Sequence, residues 1–353
     1  MKTLSLFSLF SGIGAFEKAL DRLEIKYELV AYCDNDPPAS KSYAAIHGVD
    51  ESMNLGDITK VDEKKLPKDI DLLTYGFPCQ DISNSGKQKG LLNPDGSRTR
   101  SGLFFDAQRI IEEVQPVVAI AENVKNLTSK KFAEQFKIVL ESLEQAGYNN
   151  YWAVLNAKAY GIPQNRERVF IVSIRKDVDP GCFRFPEGFP LEVKLMDLLE
   201  VNVSDELFIE TPYDLVSIRS NGVFVKEATR KGYTTAGVGD SINLEFPNSK
   251  TRRGRVGRQV AQTLTTSPQQ VVVVANMGEL PKLRKLSAKE CFRLMGFDDS
   301  DFEKAASVVS DRQLYKQAGN SIVVNVIQHI IQSLIECGVL QNSETERELT
   351  PDE

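Results

Sequence analysis

The sequence predicts an α/β protein built on a mostly parallel, doubly wound sheet, joined to a smaller, irregular, β-rich domain. Three observations predict it. In the first half, short apolar runs alternate with stretches that repeat apolar residues at helical spacing, as in a parallel sheet covered on both faces. Near residue 180 this texture ends, and residues 180–190 hold three prolines and two glycines. The length of 353 residues also fits two domains at about 150 residues each.

Leu4–Phe10 reads as the first strand, followed by Ser11-Gly12-Ile13-Gly14 and a helical face of Phe16, Ala19, Leu20 and Leu23. Tyr27–Cys33 is a second strand ending in Asp34-Asn35-Asp36, and Ile70–Tyr75 a third, broken by Gly76-Phe77-Pro78. Leu103–Val114 reads as a helix and Pro116–Ala121 as a buried strand. Phe132, Phe136, Val139, Leu140 and Leu143 form a helix face that stops near Gly147, and Trp152–Leu155 and Val169–Ile174 complete the series. Beyond it, Gln270–Val274 is the clearest strand, and residues 250–258 hold five basic side chains and no acid. Ser287 and Glu290 make a capping box for a helix over Ser287–Met295, and Gly319-Asn320-Ser321 opens a last helix, Ile322–Ile335. The expected division is a catalytic domain over 1–185, a second domain over 186–311, a helix returning to the first over 312–340, and an acidic tail over 341–353.

Composition narrows the function. Forty-three Lys and Arg against 49 Asp and Glu give a net charge of −6, so a basic surface must be local. No apolar run is long enough to span a membrane, and no signal peptide opens the chain, which predicts a cytoplasmic protein. Five scattered cysteines without a CxxC pair predict free thiols and no metal site, with Cys33, Cys291 and Cys337 as core thiols. With only two histidines, acid–base work falls on carboxylates, a thiol or water.

Glycines where the first strand meets its helix let a backbone approach a nucleotide-like ligand, and Asp34 ends the second strand where a carboxylate can hold ribose hydroxyls. Either feature alone equally suits a tight turn and a cap. Cys79, in Gly76-Phe77-Pro78-Cys79-Gln80, stands in a polar turn at the carboxyl edge of the sheet, where a thiol serves as a nucleophile. Glu122 ends a buried strand on that edge and needs a partner, such as Arg166 or Arg168 ahead of Val169–Ile174. Thiol, carboxylate and guanidinium together suit attack on a pyrimidine: the thiolate adds to C6, the carboxyl steadies N3 and N4, and arginine holds O2.

In order and spacing, Phe10-Ser-Gly-Ile-Gly14, Gly56-Asp57-Ile58, Gly76-Phe-Pro-Cys-Gln80, Glu122-Asn-Val124, Gln164-Asn-Arg-Glu-Arg168 and Gly319-Asn-Ser321 resemble the motif series of C5-specific DNA cytosine methyltransferases of the bacterial or phage single-chain type. The resemblance implies a Rossmann-like fold that uses S-adenosylmethionine and leaves S-adenosylhomocysteine. It places Phe10, Ser11, Gly12, Ile13, Gly14, Asp34, Asn35, Asp57, Ile58, Gly76, Pro78, Asn320 and Ser321 around the donor. It makes Cys79 the nucleophile, with Glu122, Arg168, Arg166 and Gln80 around the target base. The segment Gln80–Leu103 resembles a mobile loop that closes over DNA, bringing Ser85, Lys87, Lys89, Arg98 and Arg100 to phosphates. Three positions depart from the family pattern: Ser8 and Ala15 stand where Asp and Gly are common, and Asn35 where an aromatic residue often faces adenine.

A C5 target inside a duplex has to be flipped out of the stack. The second domain would grip the DNA through Arg252, Arg253, Arg255 and Arg258, with Thr263-Leu264 resembling the family's target-recognition element. The expected partners are double-stranded DNA and, within a restriction system, a cognate endonuclease, with no metal or membrane; the protein is expected to act as a monomer. The alternatives weighed are a tRNA-directed enzyme of the same family, a nicotinamide-dependent oxidoreductase, and a non-catalytic DNA-binding protein on this scaffold.

Overall fold

The structure, a computed structural model, describes residues 3–83, 88–93, 95–209, 215–219, 222–245, 251, 255–267, 269–275 and 280–340. In chain order the elements are β1 (Leu4–Leu9), α1 (Ala15–Arg22), β2 (Tyr27–Cys33), α2 (Pro37–His47), β3 (Leu72–Tyr75), α3 (Phe104–Val114), β4 (Val118–Val124), α4 (Ala133–Gln145), β5 (Tyr148–Asn156), β6 (Gln164–Asn165) and β7 (Glu167–Arg175). They continue with β8 (Val216–Arg219), β9 (Gly222–Lys226), β10 (Tyr233–Ala236), β11 (Ser241–Asn243), β12 (Arg255–Gly257), β13 (Ala261–Gln262), β14 (Gln270–Val274) and β15 (Lys282–Lys285). Among the described residues, four more helices follow: α5 (Ala288–Leu294), α6 (Asp299–Ala306), α7 (Asp311–Asn320) and α8 (Val324–Glu336).

The chain forms two units: 1–155, 167–187 and 324–353 in the first, 156–166 and 188–323 in the second. Residues 156–166 belong with the second unit, and the return to the first comes at Val324, after α7 rather than before it.

The first unit carries a six-stranded sheet in the order β2-β1-β3-β4-β7-β5. β1, β2, β3 and β4 pair in parallel, and β7 runs antiparallel to β4. The central strands read as unbroken apolar runs because both faces are covered: every residue of β3 is buried. α3 and α4 turn Phe104, Ile110, Ile111, Val139 and Leu143 onto one face of this sheet, where they join Leu73, Tyr75, Ala119 and Ile171 in a single core. α1 packs against α8, the first helix against the last, and Arg22 donates to the Asn325 side chain at 3.1 Å.

The second unit is β-rich. It holds a three-stranded sheet, β10-β9-β8, and a four-stranded one, β12-β11-β14-β15, which share a core of Val216, Val223, Val225, Ile242, Val271 and Leu283. The capping box expected at Ser287 and Glu290 forms at the start of α5. Glu290, fully buried, also takes both terminal nitrogens of buried Arg284, at 2.6 and 2.8 Å, and the Glu200 N–H at 2.8 Å.

The expectation of five free thiols is corrected. Cys182 and Cys337 form a disulfide with a Cα–Cα separation of 5.9 Å, which joins the segment after β7 to the end of α8. Cys337 is thus half-buried and bonded rather than a core thiol, whereas Cys33 and Cys291 are buried and free as expected. Titration of the denatured chain should count three sulfhydryls before reduction and five after; five before reduction would show that the bond does not form. Among the described residues, no helix is long and apolar enough to cross a membrane.

Candidate active site

One row of paired residues crosses the main sheet. Cys33 pairs with Leu9, Leu9 with Tyr75, Tyr75 with Ala121, and Ala121 with Ile171. Three of these parallel strands, β2, β1 and β3, end at this row, and the fourth, β4, runs three residues further along β7, so the next residues, Asp34, Phe10, Gly76 and Glu122, lie along one carboxyl edge. That edge is where open α/β sheets bind ligands.

The turn after β1 is built to bring backbone close to something. Phe10 has φ +52°, a left-handed value that non-glycine residues seldom adopt and that clusters at functional sites. Gly12 has φ +57°, and a Cβ there would meet open space. Gly14 sits at the start of α1 at φ +78°, and a Cβ on it would run into the His47 ring. Among the described residues, Ser11 Oγ is buried with no hydrogen-bond partner. An orphaned hydroxyl in a tight, glycine-lined turn fits a polar ligand packed against it.

Asp34 is fixed by its own backbone contacts. Its carboxylate accepts from the N–H groups of Gly12 and Asp36, each at 2.8 Å. Asn54 was not singled out from sequence. Its Oδ1 accepts from the N–H groups of Asp34 and Gly56, both at 2.9 Å, and its Nδ2 donates to the Asp34 carbonyl at 2.9 Å. It therefore ties the end of β2 to the Gly56-Asp57-Ile58 segment. Asp57 caps the next turn, and hydrogen bonds from the Thr59 hydroxyl and N–H hold its carboxyl below the usual range. Asn35 is exposed and Ile58 buried.

Cys79 is half-buried, unlike Cys33, whose thiol burial pushes up to about 12, and Cys291, which burial raises further. Its peptide is clamped. The Cys79 carbonyl accepts from the N–H groups of Ile82 and Ser83 at 2.9 and 2.8 Å. Asn123 Nδ2 donates to the Phe77 carbonyl at 2.9 Å and Asn126 Nδ2 to the Ile82 carbonyl at 2.6 Å. Two asparagines from the strand end that bears Glu122 thus grip the chain on either side of the thiol. Gln80 is exposed and accepts from the Arg100 guanidinium at 3.3 Å.

Glu122 and Arg168 face each other by register. Glu122 pairs with Phe170 and Val124 with Arg168, so the two side chains are diagonal neighbours on one face of an antiparallel pair. Arg168 Nε lies 2.9 Å from Glu122 Oε1, and both side chains are mostly buried. Arg166 goes elsewhere. It is buried in the second unit, where its guanidinium donates to the carbonyls of Leu264, Gly319 and Ser321 at 3.0, 3.0 and 2.7 Å. Its terminal nitrogens are thus engaged by main-chain carbonyls, whereas Arg168 pairs with Glu122. The Arg166 acceptors Gly319 and Ser321 flank Asn320, which is exposed at the end of α7.

The basic residues are mixed in their placement. Lys89, Arg98 and Arg100 are exposed, with Arg98 paired to Asp106 at 3.3 Å. Arg255 is exposed, whereas Arg258 is engaged by Asp240 at 2.8 Å. Ser85, Lys87, Arg252 and Arg253 lie outside the described residues. Among the described residues, no group of three or more His, Cys, Asp and Glu could hold a metal ion.

The comparisons with known proteins decide the family. A family model described as C-5 cytosine-specific DNA methylase matches residues 4–336. This chain belongs to that family. It is 34% identical to the type II methyltransferase M.HhaI of Haemophilus parahaemolyticus, with 94% of each chain covered. It is 31% identical to the orphan methyltransferase M.SPRI of Bacillus phage SPR over 98% of this chain and all of that one. In fold it resembles Entamoeba histolytica methyltransferase EhMeth, with TM-score 0.67, 18% identity and coverage of 95% and 99%. It also resembles the S. pombe Dnmt2 methyltransferase, with TM-score 0.63, 22% identity and coverage of 94% and 98%. The chain is a DNA (cytosine-5-)-methyltransferase of the mixed α/β methyltransferase fold with added β-rich sheets.

Proposed function

We propose that this methyltransferase takes its methyl group from S-adenosylmethionine and acts on a cytosine flipped out of a specific duplex site, with Cys79 as nucleophile. The observation that carries the reading is the shared carboxyl edge on which Asp34, Phe10, Gly76 and Glu122 follow one row of the sheet. The donor would lie along Phe10–Gly14, with Asp34 on its ribose, Asn35, Asp57 and Ile58 about its adenine, and Gly76 and Pro78 alongside. Bound there, the donor supplies an electrophilic methyl on a sulfonium, released as a neutral thioether.

The chain's own groups do the rest. The Cys79 thiolate bonds to C6, which turns C5 into an enamine-like nucleophile. Glu122, paired to Arg168, hydrogen-bonds N3 and N4 so that charge entering the ring is neutralised, and Arg168 donates to O2. After methylation C5 gives its proton to solvent water, the C–H electron pair restores the C5–C6 double bond, the C6–S bond breaks to return the thiolate, and N3 returns its proton to Glu122. Glu122→Gln keeps the shape but cannot deliver a proton to N3, and should lower kcat by about 10²–10⁴-fold with little change in donor affinity. An unchanged kcat would remove Glu122 from the chemistry.

The protein acts as a monomer in the cytoplasm, where its DNA is, either with a cognate endonuclease or alone. Duplex DNA and tRNA incubated with methyl-labelled donor test the reading. Label in duplex is expected, with bisulfite sequencing giving the site, whereas label confined to tRNA would overturn it.

A further inference from the structure

The three-stranded sheet of the second unit has one face that the chemistry above does not use. Its inner face is closed by Val216, Val223, Val225 and Ala236, all buried. On the outer face the strands place Arg219, Phe224 and Tyr233 in line. The Arg219 guanidinium lies over the Phe224 ring, 5.1 Å from its centroid. Phe224 and Tyr233 are 5.9 Å apart between centroids, and Lys231 Nζ stands 4.8 Å over the Tyr233 ring. Arg219, Lys231 and Tyr233 are exposed, Tyr233 by 41%. Among the described residues of 215–236 there are four basic side chains, these two with Lys226 and Arg230, against one carboxylate, Glu227.

We propose that this face is a second DNA-binding surface that holds the sugar-phosphate backbone without reading bases. The proposal rests on the DNA-methylation reading. Both cations rest on aromatic rings while both side chains stay exposed, so the rings restrain them in place. Less side-chain freedom is then lost when a phosphate oxygen is bound, and a guanidinium so held suits phosphate geometry. The rings are already occupied by the cations, so they do not offer a free stacking platform for bases. Over the described residues of 215–236 the charge is +3 on a chain of net charge −6, which complements a polyanion.

The test is the double variant Arg219→Gln, Lys231→Gln in the full chain. Binding is measured by fluorescence anisotropy on a duplex with the methylated sequence and on a scrambled one, across a salt series. Each phosphate contact contributes about 0.9 to the slope of log affinity against log salt, so the slope should fall by about 1.8. Affinity at 0.1 M salt should fall roughly tenfold or more, equally on both duplexes. Donor binding and circular dichroism should not change, because both side chains are exposed. Unchanged slope and affinity would overturn the proposal, and so would a loss confined to the methylated sequence, which would mean base reading instead. Methyl transfer by the unaltered chain is scored in parallel, so failure of the enzyme reading shows there and not in the slope.

Discussion

Cys79→Ser should keep its donor and lose its turnover. A hydroxyl is far less acidic than a thiol, so at neutral pH almost no anion is present to attack C6, and transfer should fall by about 10⁴-fold or more. The substitution removes one polarisable atom in a segment held by main-chain hydrogen bonds from Asn123, Asn126, Ile82 and Ser83, so the fold should not respond. Calorimetry should give unchanged affinity for S-adenosylmethionine. A duplex with 5-fluorocytosine at the target should trap the unaltered enzyme covalently, since fluorine blocks loss of the C5 proton. A peptide map should place the adduct on Cys79. An adduct on Cys33 or Cys291 would contradict the assignment, and their burial as high-pKa thiols argues against it.

The largest effect on stability is expected at Glu290. This carboxylate is fully buried with four hydrogen-bond donors, the two Arg284 terminal nitrogens and the N–H groups of Ser287 and Glu200. Glu290→Ala strands a buried guanidinium and should cost about 3–5 kcal/mol. The double change Arg284→Met, Glu290→Leu removes both charges and should recover much of that loss, though two backbone N–H groups stay unsatisfied. Urea denaturation followed by circular dichroism measures both. A double variant no more stable than Glu290→Ala would show that the unpaired charge is not the source of the loss.

The main sheet was legible because its strands are buried on both sides. β2 and β14 match their expected limits, and β3 and α3 differ by one or two residues. α2 was missed. It opens with Pro37 and Pro38 and buries Ala39, Ser40, Ser42, Tyr43, Ala44 and Ile46, a face too broad and too mixed to show a helical stripe. At the site, Glu122 needed a partner and Arg168 was one of two candidates, because strand ends can be placed from sequence. Asn54 and Arg166 could not be placed that way. Arg166 serves carbonyls about 100–150 residues downstream, and spacing along the chain carries no trace of such an approach. The Cys182–Cys337 bond, spanning 155 positions, was hidden for the same reason.

The packing of α1 on α8 sets a timetable for synthesis. The helix made first emerges from the ribosome about 300 residues ahead of its mate, which at ~5–20 residues per second is a wait of roughly 15–60 s. Over that interval the part of α1 that packs on α8 waits for its partner, while the Tyr43 hydroxyl of α2 is already available to Glu17. Chains halted before residue 324 should therefore expose the α8-facing side of α1 to added hydrophobic dye, and the full chain should not.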